Sequence, residues 1–271
     1  MRLPAFEAPM WNAPKGLLAL LLSATCGVLI LAAMGFVAAF VSRGDLPTPM
    51  ATFDVFWKLI SNPFYNAGPN DKGIGIQLVA SFQRVATGFG LGTLVAIPLG
   101  ILLGASKPAR FIIDPIVQLL RPVSPLAWFP IGLATFHGAP SATIFVIFIT
   151  SIWPTVVNTA FGVSSLPQHY QDVARVFRFS RMQYLFRVVL PYCIPHVLTG
   201  MRLSMGIAWL VIVAAEMLSG GTGIGFFVWD SWNALSLERV MSAILLIGLV
   251  GLGIDRFFGL LLTRFSYQET E

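Results

Sequence analysis

Charge is scarce in this chain. Of its 271 residues only 11% are Asp, Glu, Lys or Arg, whereas 56% are hydrophobic, and the mean hydropathy is +0.79. Because a soluble domain normally has about a quarter of its residues charged, this composition predicts a membrane protein. The formal charge of +5 does not indicate a nucleic-acid partner, since the basic residues fall mainly where membrane orientation predicts them.

Residues that build metal and catalytic centres are also scarce. Cys26 and Cys193 lie in separate apolar segments, which predicts two packing residues, and the three histidines lack metal-ligand spacing. The sequence has no P-loop, no His-Glu-x-x-His and no Gly-x-Ser-x-Gly. Ser219–Gly225 is rich in glycine but lacks a P-loop lysine, so it predicts a flexible external turn. We therefore expect no metal, no cofactor and no catalysis in this chain, and a membrane-embedded hydrolase is disfavoured.

Long apolar runs predict the membrane-spanning helices. A helix needs about 20 mainly apolar residues to cross a bilayer. The runs that meet this length are Gly16–Val41, Gln77–Ala105, Phe111–Phe136, Ser141–Val163, Pro191–Leu218 and Ser236–Leu262. The first run is longer than the apolar core of a signal peptide, which has roughly 7 to 15 residues. The predicted fold class is an all-α membrane protein with six transmembrane helices.

Lys and Arg occur in alternate connections between these runs. They lie before the first run, in the turn before Phe111, in the stretch 172–187 and near the end of the last run, whereas residues 137–140 and 219–235 contain neither. Because cytoplasmic loops retain positive charge, both termini are predicted to be cytoplasmic. The loop Ser42–Ile76, whose charges are balanced, is placed outside.

The chain is thereby divided into three parts. Residues 1–76 hold the N-terminal tail, the first helix and the external loop. Residues 77–265 form a core of five transmembrane helices with a cytoplasmic loop at 166–191. Residues 266–271 form a cytoplasmic tail.

The cytoplasmic loop is the most charged stretch of the second half. Pro167 suits the first turn of a helix, and it predicts a helix from Gln168 to Phe177. Ser180-Arg-Met-Gln183 matches a capping box, which predicts a second short helix. Arginines recur every third residue beside an apolar face. From this periodicity alone, a surface helix on anionic membrane lipids is an alternative to a protein-docking segment.

The spacing of this loop resembles the cytoplasmic EAA loop of binding-protein-dependent ABC importer permeases. That loop has an acidic residue, two small residues, three positions, Gly, nine positions and Ile-x-Leu-Pro. The residues here that match this pattern, together with the neighbouring Arg175, are Asp172, Val173, Ala174, Arg175, Arg178, Val188, Leu190 and Pro191. Arg178 stands where the family usually has Gly. The resemblance implies that this loop couples the chain to an ATPase subunit.

Further stretches narrow the resemblance. Leu120–Gly132 and Gly200–Met217 are similar to the nitrate, sulfonate and taurine branch of these permeases, and Gly220–Asn233 is similar to nitrate and bicarbonate permeases. The resemblance, which covers nearly all of the chain from about Gln77, implies the type I ABC importer permease fold and a location in the bacterial plasma (inner) membrane. It also implies a homodimer, cytoplasmic ATP-binding subunits that carry ATP and Mg, and an external solute-binding protein.

The resemblance further implies a small inorganic anion as cargo, with nitrate or nitrite foremost. Bicarbonate, cyanate and taurine or alkyl sulfonates are alternatives within the family. An ion-coupled carrier is an alternative from another class, although no inverted repeat of the kind that carriers contain is visible.

Polar and aromatic residues inside the predicted spans are candidates for the substrate pathway. Charged residues are costly in a membrane and usually face a cavity or a partner. The candidates are Arg84, Arg121, Trp128, Arg202, Trp209, Glu216 and Met217. The alternatives without a role in transport are that the arginines snorkel to the inner interface and that the tryptophans serve packing.

Glu216 would repel an anion unless it were protonated or paired. Its predicted partner is Arg84, since both lie toward the external ends of their spans. The pair is predicted to hold an outer gate.

Proline and glycine predict irregular and close-packed segments. Pro122, Pro125 and Pro130 within one run cannot all fit a straight helix, so the third span is expected to be broken or kinked. Arg121–Pro130 is then a candidate pore wall, with a kink used only for packing as the alternative. The glycines of the second span predict close helix packing, and they are Gly88, Gly90, Gly92, Gly100 and Gly104.

Overall fold

The computed structural model describes residue 35 and residues 46–68 and 71–265, which form helices, turns and one isolated β-bridge. The chain divides into two compact units, Met1–Val55 and Phe56–Glu271. Helix α1 (Pro49–Ser61) begins in the first unit and ends in the second. Apart from residue 35, the predicted first span Gly16–Val41 lies outside the described residues, as does the predicted tail 266–271.

The rest of the described chain is a series of helices joined by short connections. In chain order they are α2 (Ile74–Ala105), α3 (Lys107–Leu120), α4 (Phe129–Phe136), α5 (Ala139–Ser164), α6 (Gln168–Val176), α7 (Arg181–Tyr184), α8 (Leu190–Ser219), α9 (Ile224–Asn233) and α10 (Leu237–Phe265). A 3-10 turn, Pro125–Trp128, precedes α4, and a π-helical turn, Leu185–Val189, makes α7 and α8 continuous. Helices α2, α5 and α10 and the continuous segment Arg181–Ser219 are long and apolar enough to cross a membrane. They confirm four of the predicted spans.

Helices α2 and α5 pack closely along their length because α2 presents a ridge of small residues. The ridge residues recur every fourth position and are Gly88, Gly92, Ala96, Gly100 and Gly104. A Cβ atom on Gly88 would come within 2.7 Å of the Ile147 side chain, and one on Gly100 within 2.6 Å of Thr159. The residue numbers of the contact partners on α5 increase along with those of the ridge residues, so the two helices run parallel. The predicted packing role of the glycines holds for these four, whereas a Cβ on Gly90 would meet nothing within 4 Å.

Helix α8 packs against α5 in the opposite direction. Ser204 Oγ donates to the Ser151 carbonyl at 2.7 Å and pairs with the Thr155 hydroxyl, also at 2.7 Å. Farther along α5, Gly162 lies against His196, eight residues earlier on α8. These buried hydrogen bonds join the two helices where the hydrophobic effect between membrane helices is absent. Helix α10 in turn runs antiparallel to α8.

The parallel pair settles how the chain crosses between α2 and α5. Both helices begin at the same face of the molecule, so residues 106–138 must return from the far face to the near one. They do so as α3 followed by Pro125–Phe136, with a bend of 96° between them. This confirms the predicted break in the third span and makes a fifth crossing within residues 74–265. Pro125 opens the 3-10 turn and Pro130 lies in the first turn of α4, where a missing N–H is not needed.

The helices therefore end at two opposite faces. We call one the Gly220 face, which contains Ile74, Gly138 and residues 220–236. We call the other the Arg178 face, which contains Ser106, residues 165–180 and Phe265.

We expect Gly88→Val to destabilise the protein, whereas Gly90→Val should not. A side chain at position 88 meets Ile147 and the Ile144 carbonyl, and overpacking of this kind costs about 1 to 3 kcal/mol. Position 90 lies two residues away on the same helix and faces open space. Thermal unfolding of both variants in detergent measures the difference. Equal losses would mean that the ridge is not a packing surface.

Candidate functional site

Glu216 in α8 is the centre of a buried polar cluster. Its side chain is 0% exposed. Arg84 Nη1 donates to Glu216 Oε1 at 2.5 Å, Ser81 Oγ donates to Oε2 at 2.7 Å, and the backbone N–H of Gly225 donates to Oε2 at 3.1 Å. A buried carboxylate is tolerated only when it is paired and hydrogen-bonded in this way. The predicted pairing of Arg84 with Glu216 is therefore present in the structure.

The same cluster holds the glycine-rich loop 220–225 at the Gly220 face. The N–H of Gly223 donates to Gln77 Oε1 at 2.6 Å, and the N–H of Ile224 donates to Ser81 Oγ at 2.8 Å. Arg84 Nη1 also donates to the Thr222 carbonyl at 2.7 Å. Gly221 is exposed, whereas residues 223–225 are buried, so the second half of the predicted external turn is packed into the protein. A side chain at position 223 would collide with the Glu216 carboxylate, which explains the glycine there.

Sequence reasoning found Arg84 but missed Gln77 and Ser81, which α2 also contributes to this cluster. Gln77, Ser81 and Arg84 are spaced at i, i+4 and i+7, which places them on one face of a helix. That polar stripe on an otherwise apolar helix is the signal that could have found them. The glycine-rich loop leads into α9, which begins at Ile224. The partial positive charge of the first turn of α9 also favours a carboxylate.

A second feature is a cavity of about 170 Å³ beside the break between α3 and α4. Its walls come from the break, α5 and α8, and its lining includes Arg121, Trp128, Thr150, Trp153, Pro154 and Ile207. At 1.5 Å per residue, Thr150 lies about 16 Å from the start of α5, and Ile207 lies about 18 Å from the end of α8. The cavity is therefore near the middle of the membrane, and the predicted pore wall Arg121–Pro130 borders it.

The other pathway candidates have different surroundings. Arg202 forms a two-pronged ion pair with Asp255 of α10, with Nε to Oδ1 and Nη2 to Oδ2 both at 2.6 Å. Trp209 is buried in the helix core, and its Nε1 donates to the Ile247 carbonyl at 3.1 Å. Met217 is half-buried next to Glu216. Neither Arg202 nor Trp209 lines the cavity beside the break.

The Arg178 face carries the segment that resembles the EAA loop. Helix α6 ends in a Schellman motif, in which Phe179 N–H donates to the Ala174 carbonyl and Arg178 N–H to the Arg175 carbonyl. Arg178 has φ 50°, a left-handed conformation that Gly adopts at low cost. Arg178 thus takes the backbone geometry expected of the Gly that it replaces. The turn is preserved without the glycine.

Helix α7 begins as the sequence predicts. Ser180 N–H donates to Gln183 Oε1 at 2.9 Å and Gln183 N–H donates to Ser180 Oγ at 3.3 Å, which completes the capping box. Between α6 and α7 lies a groove of about 520 Å³ lined by Arg175, Arg178 and Arg181, among others. Apolar side chains are exposed beside it, and they are Val173, Val176, Phe177, Met182 and Phe186.

The other residues of this segment range from exposed to buried. Asp172 is exposed and forms an ion pair with Arg175 at 3.4 Å. Ala174 is buried, and Val188, Leu190 and Pro191 are half-buried where the π-helical turn enters α8. The segment therefore combines a surface of exposed apolar and cationic groups with a base that is continuous with a membrane helix.

Known proteins resemble this chain in sequence and fold. Residues 96–267 match the family described as binding-protein-dependent transport system inner membrane component. The chain is 48% identical to the nitrate import permease protein NrtB of Synechocystis sp. over 80% of this chain and 79% of that relative. It is 45% identical to the bicarbonate transport system permease protein CmpB of Synechococcus elongatus over 78% of this chain and 77% of that relative.

A solved structure of the MetNI methionine ABC transporter in an inward-facing conformation has a TM-score of 0.62 to this chain. The match covers 72% of this chain and 98% of that chain at 13% identity. At this identity the likeness concerns the fold alone.

We expect Arg84→Gln to destabilise the protein strongly, because it leaves the buried Glu216 carboxylate without its cation. Breaking a buried pair in this way costs about 3 to 5 kcal/mol. The double variant with Glu216→Gln should lose less than the sum of the two single losses. Thermal unfolding in detergent completes the double-mutant cycle, and Arg110→Gln, which removes an exposed pair with Asp114, is the control. Additive losses would show that the two side chains are not coupled.

Proposed function

This chain belongs to the family of binding-protein-dependent transport system inner membrane components, and we propose from this premise that it is the permease subunit of an ATP-driven importer for nitrate or nitrite. The assignment of nitrate as the cargo is based on the similarity to a cyanobacterial nitrate permease over four fifths of the chain. Bicarbonate is the second candidate, because a bicarbonate permease is similar over nearly the same share. The chain catalyses no reaction itself.

We infer the orientation from the distribution of basic residues. Those near the Arg178 face are Lys107, Arg110, Arg175, Arg178, Arg181, Arg187 and Arg264, whereas the Gly220 face has fewer, among them Lys72 and Arg239. The Arg178 face is therefore cytoplasmic and the Gly220 face external. The run Gly16–Val41 supplies a sixth transmembrane helix, which places the N-terminus on the cytoplasmic side with the C-terminus. Residues 77–265 then form the permease core.

The partners follow from this orientation. ATP-binding subunits, which hold ATP and Mg, dock on the cytoplasmic Arg178 face, and an external solute-binding protein delivers cargo to the Gly220 face. A second copy of the chain completes the pathway. The exposed apolar and cationic side chains between Asp172 and Phe186 support the docking step, because interface cores combine apolar anchors with arginine.

Helix α8 is the element that we propose to transmit the movement. The segment Arg181–Ser219 is continuous over 39 residues, so it connects the docking surface to the cavity at Ile207 and to the Glu216 cluster. Movement imposed on α6 and α7 by the ATP-binding subunits would therefore reach both sites. ATP then shifts the population between outward-open and inward-open states.

The Arg84 and Glu216 pair is proposed to hold the outer gate. It ties the loop 220–225 to α2 and α8, and this loop must leave the two helices if this end of the molecule opens. The variants of the double-mutant cycle also test this role in uptake assays. Each single substitution is expected to impair uptake more than the double substitution, and equal damage from the double variant would contradict the gate.

We expect Val176→Asp to prevent assembly with the ATP-binding subunits without lowering the stability of the permease. Val176 is 79% exposed at the end of α6, so a charge there disturbs a docked partner but not the fold. Co-purification of the ATP-binding subunits measures the loss. Trp232→Ser, which changes an exposed apolar residue on the opposite face, is the control. Full retention of the partner by Val176→Asp would place the docking surface elsewhere.

The proposed function predicts that ATP hydrolysis by the assembled transporter in lipid rises when the external receptor is loaded with nitrate. The same receptor should be presented empty and with nitrate, bicarbonate or taurine. Stimulation by nitrate alone is the expected result. Stimulation by another ligand would keep the importer class and overturn the cargo, and failure of any ATP-binding subunit to assemble would favour an ion-coupled carrier.

A further inference from the structure

The cavity beside the break contains a cation that no carboxylate of the described chain neutralises. Arg84 is paired with Glu216, and Arg202 is paired with Asp255. Arg121, which follows the last residue of α3, makes no ion pair within residues 46–68 and 71–265. A charge at this depth is costly unless water or a counter-ion accompanies it.

The remaining polar groups of the cavity are mostly hydrogen-bond donors. An indole N–H can donate but cannot accept. Neither Trp128 nor Trp153 makes a side-chain hydrogen bond in the described part of the chain, whereas Trp209 does. Thr150 already donates its hydroxyl proton to the Val146 carbonyl at 2.7 Å. A guanidinium and two indoles beside apolar walls therefore offer donors with no acidic group among them.

The size and position of the cavity suit a small ion that keeps part of its water. Its volume of about 170 Å³ corresponds to the share of roughly six water molecules at about 30 Å³ each. It lies at mid-depth, where the chain of α3 and α4 is irregular. Non-helical backbone at this depth is tolerated where it borders a watery cavity or is buried in protein.

We propose that this cavity is a binding site for a small monovalent oxyanion, with Arg121 supplying the charge and with Trp128 and Trp153 donating hydrogen bonds. The proposal rests on the proposed function, because the cargo of the importer is the oxyanion that would reach this depth. Nitrate and bicarbonate share the required chemistry, since both are planar, carry one negative charge and accept hydrogen bonds on at least two oxygens. Ile207 of α8 forms part of the wall, so the site lies on the helix that we propose to transmit the movement.

The first measurement is the charge preference of the cavity. Ile207 is 40% exposed, and Ile207→Cys provides a reactive group in its wall. The transporter in lipid is treated with methanethiosulfonate reagents of similar size, one anionic and one cationic. The unaltered chain, whose Cys193 is fully buried, gives the background rate. We expect the anionic reagent to react faster than the cationic one, and nitrate to slow both reactions.

Substitutions at Arg121 identify the source of this preference. Arg121→Gln should lower the ratio of anionic to cationic labelling by about tenfold or more, because removing one unit charge from the wall changes the approach of an anion and of a cation in opposite directions. It should also abolish protection by nitrate. Arg121→Lys retains the charge and should keep most of the ratio. Arg110→Gln, on the same helix but away from the cavity, should leave the ratio unchanged.

Two results would overturn the site. One is a labelling ratio that Arg121→Gln does not alter, and the other is an Ile207→Cys that does not react, since an oxyanion site must admit water. Protection by bicarbonate but not by nitrate would keep the site and change its occupant. The assay needs no receptor and no ATP. A charge preference that persists without nitrate-stimulated ATP hydrolysis would therefore reject nitrate import while retaining the anion site, and the reverse combination would reject only the site.

Discussion

The parallel packing of α2 on α5 is the constraint on which the rest of the architecture depends. Between membrane helices there is no hydrophobic driving force, so close approach requires small side chains, and the glycine ridge provides it. Because the two helices run parallel, the chain between them must cross the membrane again. That return contains Pro122, Pro125 and Pro130, which prevent a continuous helix. The packing of the two helices thus requires a further crossing, and the prolines make that crossing irregular. The cavity lies beside the break.

Charge is managed differently at three points along the membrane helices. At Glu216 the carboxylate is buried and receives donors from two other segments, so removing any of them leaves an unsatisfied charge. Arg202 and Asp255 neutralise each other on a partly exposed surface. Arg121 alone of the three arginines has no counter-charge in the described chain. The first arrangement ties three segments together through one carboxylate, whereas the last leaves a cation without a protein counter-charge.

Much of this could be predicted from sequence because the causes are local. Hydrophobic length gave α2, α5, α8 and α10 to within a few residues, prolines gave the break, and a four-residue pattern gave the capping box at Ser180. The burial of residues 223–225 could not be predicted in this way, because Gln77 and Gly223 meet across 146 positions of the chain. Composition favoured a free turn, and long-range hydrogen bonds overrode it. The replacement of Gly by Arg178 was similarly ambiguous, since only the Schellman motif shows that the turn survives.

The contacts also determine which parts can move. The glycine ridge interlocks α2 and α5, and the hydrogen bonds of Ser204 join α5 to α8, so these three helices form a body that resists sliding. A switch between two access states must therefore occur where the contacts are fewer or replaceable. The bent pair α3 and α4 meets that condition on one side of α8, and the loop held by Arg84 and Glu216 meets it at the Gly220 face. Helix α8 borders both, because it contributes Ile207 to the cavity and Glu216 to the cluster.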